Sequence, residues 1–215
     1  MKKLLYLKNS RIEIYVKPGA EVNNILYVLA AETVELEPMD GICIAMVYPF
    51  DWTAYMTPWV HEGDIGGETG RGAEYAKDFF FEVVSPVERS LTANIKHRGI
   101  AGYSLGGLMA LYMSVKLPGF DFVGSVSGSL WYTGAVEYFI GSRTKEEIRS
   151  AYFSLGNKEK NTKDPERSHV EDNTNLIVSA LSRDIEVFYE SNPGGHFTQI
   201  PERIKKCIAY YLGRI

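Results

Sequence analysis

A serine flanked by small residues is the strongest chemical signal in this chain. Residues 102–107 read Gly-Tyr-Ser-Leu-Gly-Gly. Residues 95–101 can form a short strand before this segment, and residues 108–115 carry apolar residues at helical spacing after it. A strand, a tight turn holding a serine and a helix together predict a nucleophile elbow.

In such an elbow the turn is strained, and the residues beside the serine must be small. Gly102 and Gly106 supply this room and leave the Oγ of Ser104 exposed above the sheet edge. The backbone N–H of Leu105, at the start of the helix, is then placed to stabilise a developing oxyanion. The segment therefore predicts Ser104 as a nucleophile and Leu105 as one oxyanion donor.

A serine hydroxyl is a weak nucleophile at neutral pH, so it needs a base within hydrogen-bond reach. His196 follows the last predicted strand, residues 185–189, on a Pro-Gly-Gly turn that can project it over the sheet edge. His97 lies at the amino end of the strand before the elbow, whereas catalytic residues of an open α/β sheet lie at the carboxyl ends of the strands. His61 and His169 lie in polar loops and are expected to be solvent-exposed. We therefore predict His196 as the general base.

A carboxylate usually holds the base in one tautomer. Glu159 follows the predicted strand at residues 150–155 and a glycine, which is the expected position for this acid. Asp164 and Asp172 compete for the role, and a Ser–His dyad without a carboxylate also fits the sequence. With Glu159 as the acid, the chain order is serine, acid, histidine, as in the α/β-hydrolases.

A second oxyanion donor is expected from a backbone N–H on the loop after the third predicted strand, residues 25–30. By position this donor is the N–H of Ala31 or of Glu32.

Predicted strands alternate with predicted helices, which indicates one α/β domain over residues 1–215 with a mostly parallel sheet and helices on both faces. Pro86 is expected to kink or split the helix predicted for residues 74–95. The long loop at residues 49–71 is rich in aromatic residues and is expected to be functional. The other predicted strands are residues 4–7, 12–16, 42–48 and 120–127; the other predicted helices are residues 170–182 and 201–212, with short helical turns at 136–140 and 145–149.

Large aromatic residues lie at strand ends on the expected active face, where they could wall a pocket and stack on a planar group. None of them is assigned a binding role individually. Arg71 could pair with an anionic substrate. The aromatic residues are Trp52, Tyr55, Trp59, Trp131, Tyr132 and Phe197.

Composition narrows the class of protein further. A net charge of −4 disfavours a nucleic-acid partner. The N-terminal apolar run is too short for a signal peptide or membrane span, which favours the cytoplasm and no membrane association. Cys43 and Cys207 are expected to be buried free thiols, and no cysteine or histidine cluster indicates a metal or another cofactor. The oligomeric state is left open.

Five segments together resemble the Putative esterase family of the α/β-hydrolase superfamily, which includes enterochelin (siderophore) esterases, feruloyl esterases and S-formylglutathione hydrolase. The resemblance covers nearly the whole chain, and many relatives read Asp-Gly where this chain reads Ala30-Ala31. The segments are residues 29–32, 55–59, 102–108, 154–159 and 193–197.

The resemblance implies Ser104 as nucleophile, His196 as base and Glu159 as acid. It implies a serine esterase that acts on a small or medium ester, with a small molecule as its partner. An acyltransferase or a peptidase on the same triad, or a binding protein with an idle hydrolase fold, are the alternatives.

Overall fold

The computed structural model describes residues 2–91 and 93–215, and its centre is an eight-stranded sheet. The strands are β1 (Lys2–Tyr6), β2 (Ser10–Tyr15), β3 (Asn24–Leu29), β4 (Ile42–Pro49), β5 (His97–Tyr103), β6 (Phe122–Val126), β7 (Ser150–Gly156) and β8 (Glu186–Asn192). They lie in the order β1-β2-β4-β3-β5-β6-β7-β8. The β1–β2 and β2–β4 pairs are antiparallel, and every other pair is parallel. The predicted mostly parallel sheet is confirmed.

The central strands are apolar on both faces because both faces are covered. In β3, Ile25, Tyr27 and Leu29 face one core, whereas Leu26 and Val28 face the other. Side chains alternate along a strand, so an uninterrupted apolar run supplies two cores at once. The continuous apolar sequence of residues 25–30 therefore indicates a strand with a layer of helices on each face.

Helices cover both faces of the sheet, as predicted. The α-helices are α1 (Trp52–Tyr55), α2 (Gly72–Phe79), α3 (Ser85–Arg89), α4 (Leu105–Lys116), α5 (Ala135–Ile140), α6 (Val170–Leu181) and α7 (Ile200–Leu212). Helix α4 packs against β5 and β6 in the first core. Helix α7 packs on the opposite face, where Ile204, Cys207 and Ile208 join the second core.

The α-helical pattern predicted for residues 74–95 is interrupted just before Pro86, although the backbone stays helical over residues 72–89. A π-helical turn, Phe80–Val84, joins α2 to α3, and Pro86 lies in the first turn of α3. The N–H of Ser85 still donates to the carbonyl oxygen of Phe80, five residues earlier, in the π-helical pattern. Pro86 has no N–H to donate, so the regular α-helical bonds resume only after it. Beyond Arg89 the prediction is wrong for residues 90, 91 and 93–95, which are not helical, and Thr92 lies outside the described residues.

The long loop predicted for residues 49–71 is wrong in part, because Pro49 ends β4 and residues 52–55 form α1. Side-chain hydrogen bonds anchor the irregular remainder to the segment after β6. The indole Nε1 of Trp59 donates to the carbonyl oxygen of Thr133 at 2.7 Å. The hydroxyl of Tyr132 donates to the carbonyl oxygen of Trp59 at 2.6 Å. These contacts hold the loop over the carboxyl ends of the strands.

Residues 145–149 form a turn rather than the predicted helical turn. The N–H of Lys145 donates to Ser114 at the end of α4, and the N–H of Arg149 donates to Asp121. One local bond remains, from the N–H of Ile148 to the carbonyl oxygen of Lys145 at 3.0 Å, so the segment makes a single turn that tertiary hydrogen bonds hold at both ends.

Cys43 and Cys207 are buried and free, as predicted. Burial raises the pKa of both thiols, which keeps them protonated and unreactive. Among the described residues, no helix combines the length and the hydrophobicity that crossing a membrane requires.

Candidate active site

Ser104 occupies a strained turn between β5 and α4. Its φ is 60° and its ψ is −123°, a conformation that is uncommon for a residue with a side chain. A Cβ on Gly102 would lie 2.2 Å from the carbonyl oxygen of Gly106. A Cβ on Gly106 would lie 2.6 Å from the carbonyl oxygen of Leu29. Both flanking positions therefore require glycine, as the elbow prediction assumed.

His196 reaches Ser104 from the loop that follows β8. Its Nε2 lies 3.0 Å from the Oγ of Ser104. The hydroxyl of Tyr103 donates to the backbone carbonyl of His196, so the residue before the serine also holds the histidine loop. Gly194 has a φ of 91°, and this left-handed conformation turns the chain back over the sheet edge.

Glu159 contacts the other side of the imidazole. Its Oε2 lies 2.8 Å from the Nδ1 of His196. Its Oε1 accepts a hydrogen bond from the backbone N–H of Gly156 at 2.6 Å. The two competing carboxylates lie elsewhere: Asp164 accepts from the backbone before α6, and Asp172 belongs to the first turn of α6.

Competing effects set the pKa of Glu159. Burial alone would raise this pKa, because a charged carboxylate loses its hydration. The hydrogen bonds from His196 and from the Gly156 N–H oppose burial, and the pKa lies below its ordinary value of 4.5. Glu159 is therefore ionised at neutral pH, so it can hold a protonated Nδ1 on His196 and stabilise a positive imidazolium.

Arg203 is a member of the site that the sequence analysis missed. Its side chain is 1% exposed, and its Nη1 donates to the Oε1 of Glu159 at 2.8 Å and to the Oγ of Ser127 at 2.9 Å. Its Nη2 donates to the carbonyl oxygens of Pro193 and Gly195 at 3.0 and 2.9 Å. One guanidinium thus joins the acid, the histidine loop and the end of β6.

A signal for Arg203 was present in the sequence. The buried face of α7 carries Ile204, Cys207, Ile208 and Tyr211. Arg203 falls on the same face at helical spacing, and a buried charge on an apolar face needs fixed partners.

The three residues predicted to supply oxyanion donors lie near Ser104, one next to it in the chain and two on the same cavity. Leu105 begins α4, and the first N–H groups of a helix have no intrahelical acceptor. Ala31 and Glu32 follow β3 and line a cavity that also contacts Ser104. The N–H of Ala30 is already bonded to the carbonyl oxygen of Val47, so it is not available as a donor.

The prediction for His61 is wrong, because this side chain is buried rather than solvent-exposed. Its Nδ1 lies 2.8 Å from the Oγ1 of Thr133, and its ring packs on Tyr132 with centroids 4.8 Å apart. The histidine therefore ties the long loop to the segment after β6. His97 begins β5 and His169 is exposed, and both observations match the sequence analysis.

A cavity of about 400 Å³ opens beside Ser104. Three of the predicted aromatic residues line it, namely Trp52, Trp131 and Phe197. Phe197 is 85% exposed, although it directly follows His196.

The remaining predicted aromatic residues pack the loops instead. Tyr55 stacks on Tyr75 with centroids 5.2 Å apart, and Trp59 packs edge-on against Tyr132 at 6.0 Å. Arg71 lies over the ring of Tyr55 at 5.1 Å, outside the residues that line the main cavity.

Solved structures share this architecture. The IroE-like serine hydrolase from Shewanella oneidensis is 17% identical, with a TM-score of 0.76 over 98% of this chain and 79% of that chain. The siderophore hydrolase EstA from Aspergillus nidulans is 16% identical, with a TM-score of 0.72 over 98% and 93%. The enterochelin esterase from Shigella flexneri is 18% identical, with a TM-score of 0.69 over 96% of this chain and 56% of that chain. At these identities the likeness establishes the α/β-hydrolase fold.

A family model narrows the class further. The model described as "Putative esterase" matches residues 59–198, which include Ser104, Glu159 and His196. The chain therefore belongs to the Putative esterase family. It is also similar to the uncharacterized protein YbbA of Bacillus subtilis (strain 168), with 25% identity over 177 residues, 78% of this chain and 70% of YbbA.

Proposed function

We propose that this protein is a serine esterase that hydrolyses a small or medium carboxylic ester. Ser104 is the nucleophile, His196 the general base and Glu159 the acid that orients it. The main support is the continuous hydrogen-bonded arrangement of these three side chains. The Oγ of Ser104 lies 3.0 Å from the Nε2 of His196, and the Nδ1 of His196 lies 2.8 Å from the Oε2 of Glu159. Membership of the esterase family supports the same reaction.

In the first half of the reaction, the Oγ of Ser104 attacks the ester carbonyl while the Nε2 of His196 accepts the hydroxyl proton. Glu159 holds the opposite ring nitrogen and stabilises the imidazolium that forms. Since the pKa of Glu159 is lowered, it remains an anion throughout this step.

The tetrahedral intermediate places a negative charge on the former carbonyl oxygen. The backbone N–H of Leu105 and that of Ala31 or Glu32 stabilise it. The alcohol leaves with the proton from His196, and an acyl-enzyme remains on Ser104. Water activated by His196 then releases the acid and restores the hydroxyl.

The similar structures suggest which natural ester to assay first. Two of the similar structures are a siderophore hydrolase and an enterochelin esterase. Siderophore esters are therefore the first natural substrates to assay, beside p-nitrophenyl esters as general reporters.

The decisive experiment removes, one at a time, the two serine hydroxyls that lie in the cavity. Ser129 Oγ lies 3.3 Å from Ser104 Oγ and lines the same cavity, so Ser129→Ala is a matched control for Ser104→Ala. We expect Ser104→Ala to lower kcat on p-nitrophenyl acetate by about 10⁶-fold and Ser129→Ala by less than about tenfold. An active and folded Ser104→Ala protein would contradict the proposal.

A further inference from the structure

Ser104 lies between two compartments rather than at the floor of one cavity. The large compartment has a volume of about 400 Å³ and the small compartment about 140 Å³. Both are lined by Trp52, Ser104, His196 and Phe197. An ester bound at Ser104 can therefore place its two sides in different surroundings.

The small compartment is lined mainly by buried apolar side chains. Its inner wall is formed by Ala30, Val34, Tyr103 and Ile204, each less than a tenth exposed. Among the described residues that line it, Glu32 is the only acidic or basic one apart from His196, and Glu32 is exposed to solvent. Beyond the reacting groups and the backbone donors beside Ser104, a polar group against this inner wall would lose hydration and meet only apolar side chains and the ring of Tyr103.

The wall of the small compartment is held in place through the backbone of Val34. Its N–H donates to the hydroxyl of Tyr48 at 3.4 Å, and its carbonyl accepts from the hydroxyl of Tyr15 at 3.3 Å. The isopropyl group takes no part in these bonds. A change at this side chain therefore alters the volume of the compartment and leaves the anchor in place.

The large compartment has a different chemical character. Its lining includes Lys158, Asn161, Thr162 and Arg167. The guanidinium of Arg167 lies 5.0 Å from the ring centroid of Trp131. The Nε of Arg167 lies 3.2 Å from the Oδ2 of Asp164, so part of its charge is already paired. The compartment offers hydrogen-bond donors, the cation of Lys158 and an aromatic face to a larger and more polar group.

We propose that the small compartment is a subsite for a short, uncharged aliphatic group on one side of the scissile ester. The larger and more polar side of the substrate occupies the large compartment. This inference rests on the proposed function, because it takes Ser104 as the reacting residue. At 140 Å³ the small compartment lies below the usual volume of a site for drug-sized ligands, about 300–1,000 Å³, so it limits that group to a few carbon atoms.

The test varies each side of the ester separately. One series uses p-nitrophenyl acetate, butyrate, hexanoate and octanoate; the other uses methyl, butyl, hexyl and octyl acetates followed by proton release. In one series we expect kcat/KM to rise about fourfold per added methylene and then to fall once the small compartment is full. The series that shows this optimum identifies which side enters.

Variants of Val34 test whether the small compartment sets the chain-length optimum of kcat/KM. Val34→Ala enlarges the small compartment and should move the optimum to a longer chain, whereas Val34→Leu should move it to a shorter one. Val170→Ala is the matched control, because Val170 is equally buried but lines the large compartment. It should leave the optimum unchanged.

Active-site labelling with a fluorophosphonate keeps the two proposals distinguishable. A wild type that is labelled, with the same optimum in both Val34 variants, overturns the subsite and leaves the esterase proposal standing. A folded wild type that is neither labelled nor active overturns the proposed function, and the subsite with it. An optimum that follows the Val34 variants and ignores Val170→Ala supports the subsite.

Discussion

Replacing Arg203 with methionine should damage both the stability and the activity of the protein. Methionine keeps most of the length and the apolar stem of the side chain but removes the guanidinium. The four acceptors that then lose a donor are Ser127 Oγ, Glu159 Oε1 and the carbonyl oxygens of Pro193 and Gly195. Two of these acceptors flank the turn that carries the base.

The structure gives the magnitude of the effect. Removing one partner of a buried ion pair typically costs about 3–5 kcal/mol, because the other charge stays buried. Glu159 keeps its contacts to His196 and Gly156, which places Arg203→Met near the lower end, at about 3 kcal/mol. A shift of about 1 Å in the loop of His196 is worth up to about 100-fold in rate, so we expect kcat to fall by about 10- to 100-fold.

Urea unfolding measures the stability, and p-nitrophenyl acetate hydrolysis measures kcat and KM separately. We expect KM to change little, because Arg203 is buried and does not line the cavity. Arg203→Lys keeps a positive charge that can reach Glu159. It lacks the second guanidinium nitrogen, which donates to Pro193 and Gly195, so kcat should recover only in part. The reasoning is refuted if Arg203→Met unfolds at the wild-type urea concentration with unchanged kcat.

Three further substitutions test other parts of the site. Glu159→Gln should lower kcat by about 10²–10⁴-fold, with Asp164→Asn as the near-neutral control; full activity of Glu159→Gln would exclude Glu159 as the acid. The pKa of Glu159 is lowered in the folded state, so the stability that this carboxylate contributes is complete above pH 4.5 and is lost as the pH falls through the lowered pKa. Urea unfolding measured across this pH range should show that loss in the wild type and not in the glutamine variant. Gly102→Ala should unfold at lower temperature and lose activity, because the new Cβ meets a backbone oxygen at 2.2 Å; a wild-type Tm would show that the turn can relax. His61→Gln should cost about 1–3 kcal/mol in urea while the exposed His169→Gln costs almost nothing, and equal effects would contradict the buried position of His61.

The elements that carry the site could be predicted because local sequence determines them. The apolar run that forms β3 predicted a strand covered on both faces, and Pro86 predicted an irregularity in the helix, which the π-helical turn before α3 supplies. The two glycines beside Ser104 predicted the tight turn, since any Cβ there would meet backbone atoms. Each of these signals lies within a few residues of the feature that it determines.

Contacts between distant segments could not be predicted in the same way. His61 lies in a polar stretch, and its burial depends on a hydrogen bond to Thr133, 72 residues away. Arg203 is 44 residues from Glu159, and the pairing follows from the way α7 crosses the sheet. Polar residues take their roles from partners that the topology supplies, so the local pattern predicted the wrong environment for His61 and gave no partner for Arg203.

Covalent labelling tests the central claim most directly. The protein is treated with a fluorophosphonate probe, digested, and the modified residue is located by mass spectrometry. Our account predicts one probe on Ser104, no labelling of Ser104→Ala, and strongly slowed labelling of His196→Ala, because the serine then lacks its base. A folded wild-type protein that resists the probe, or carries it on another residue, would contradict the account.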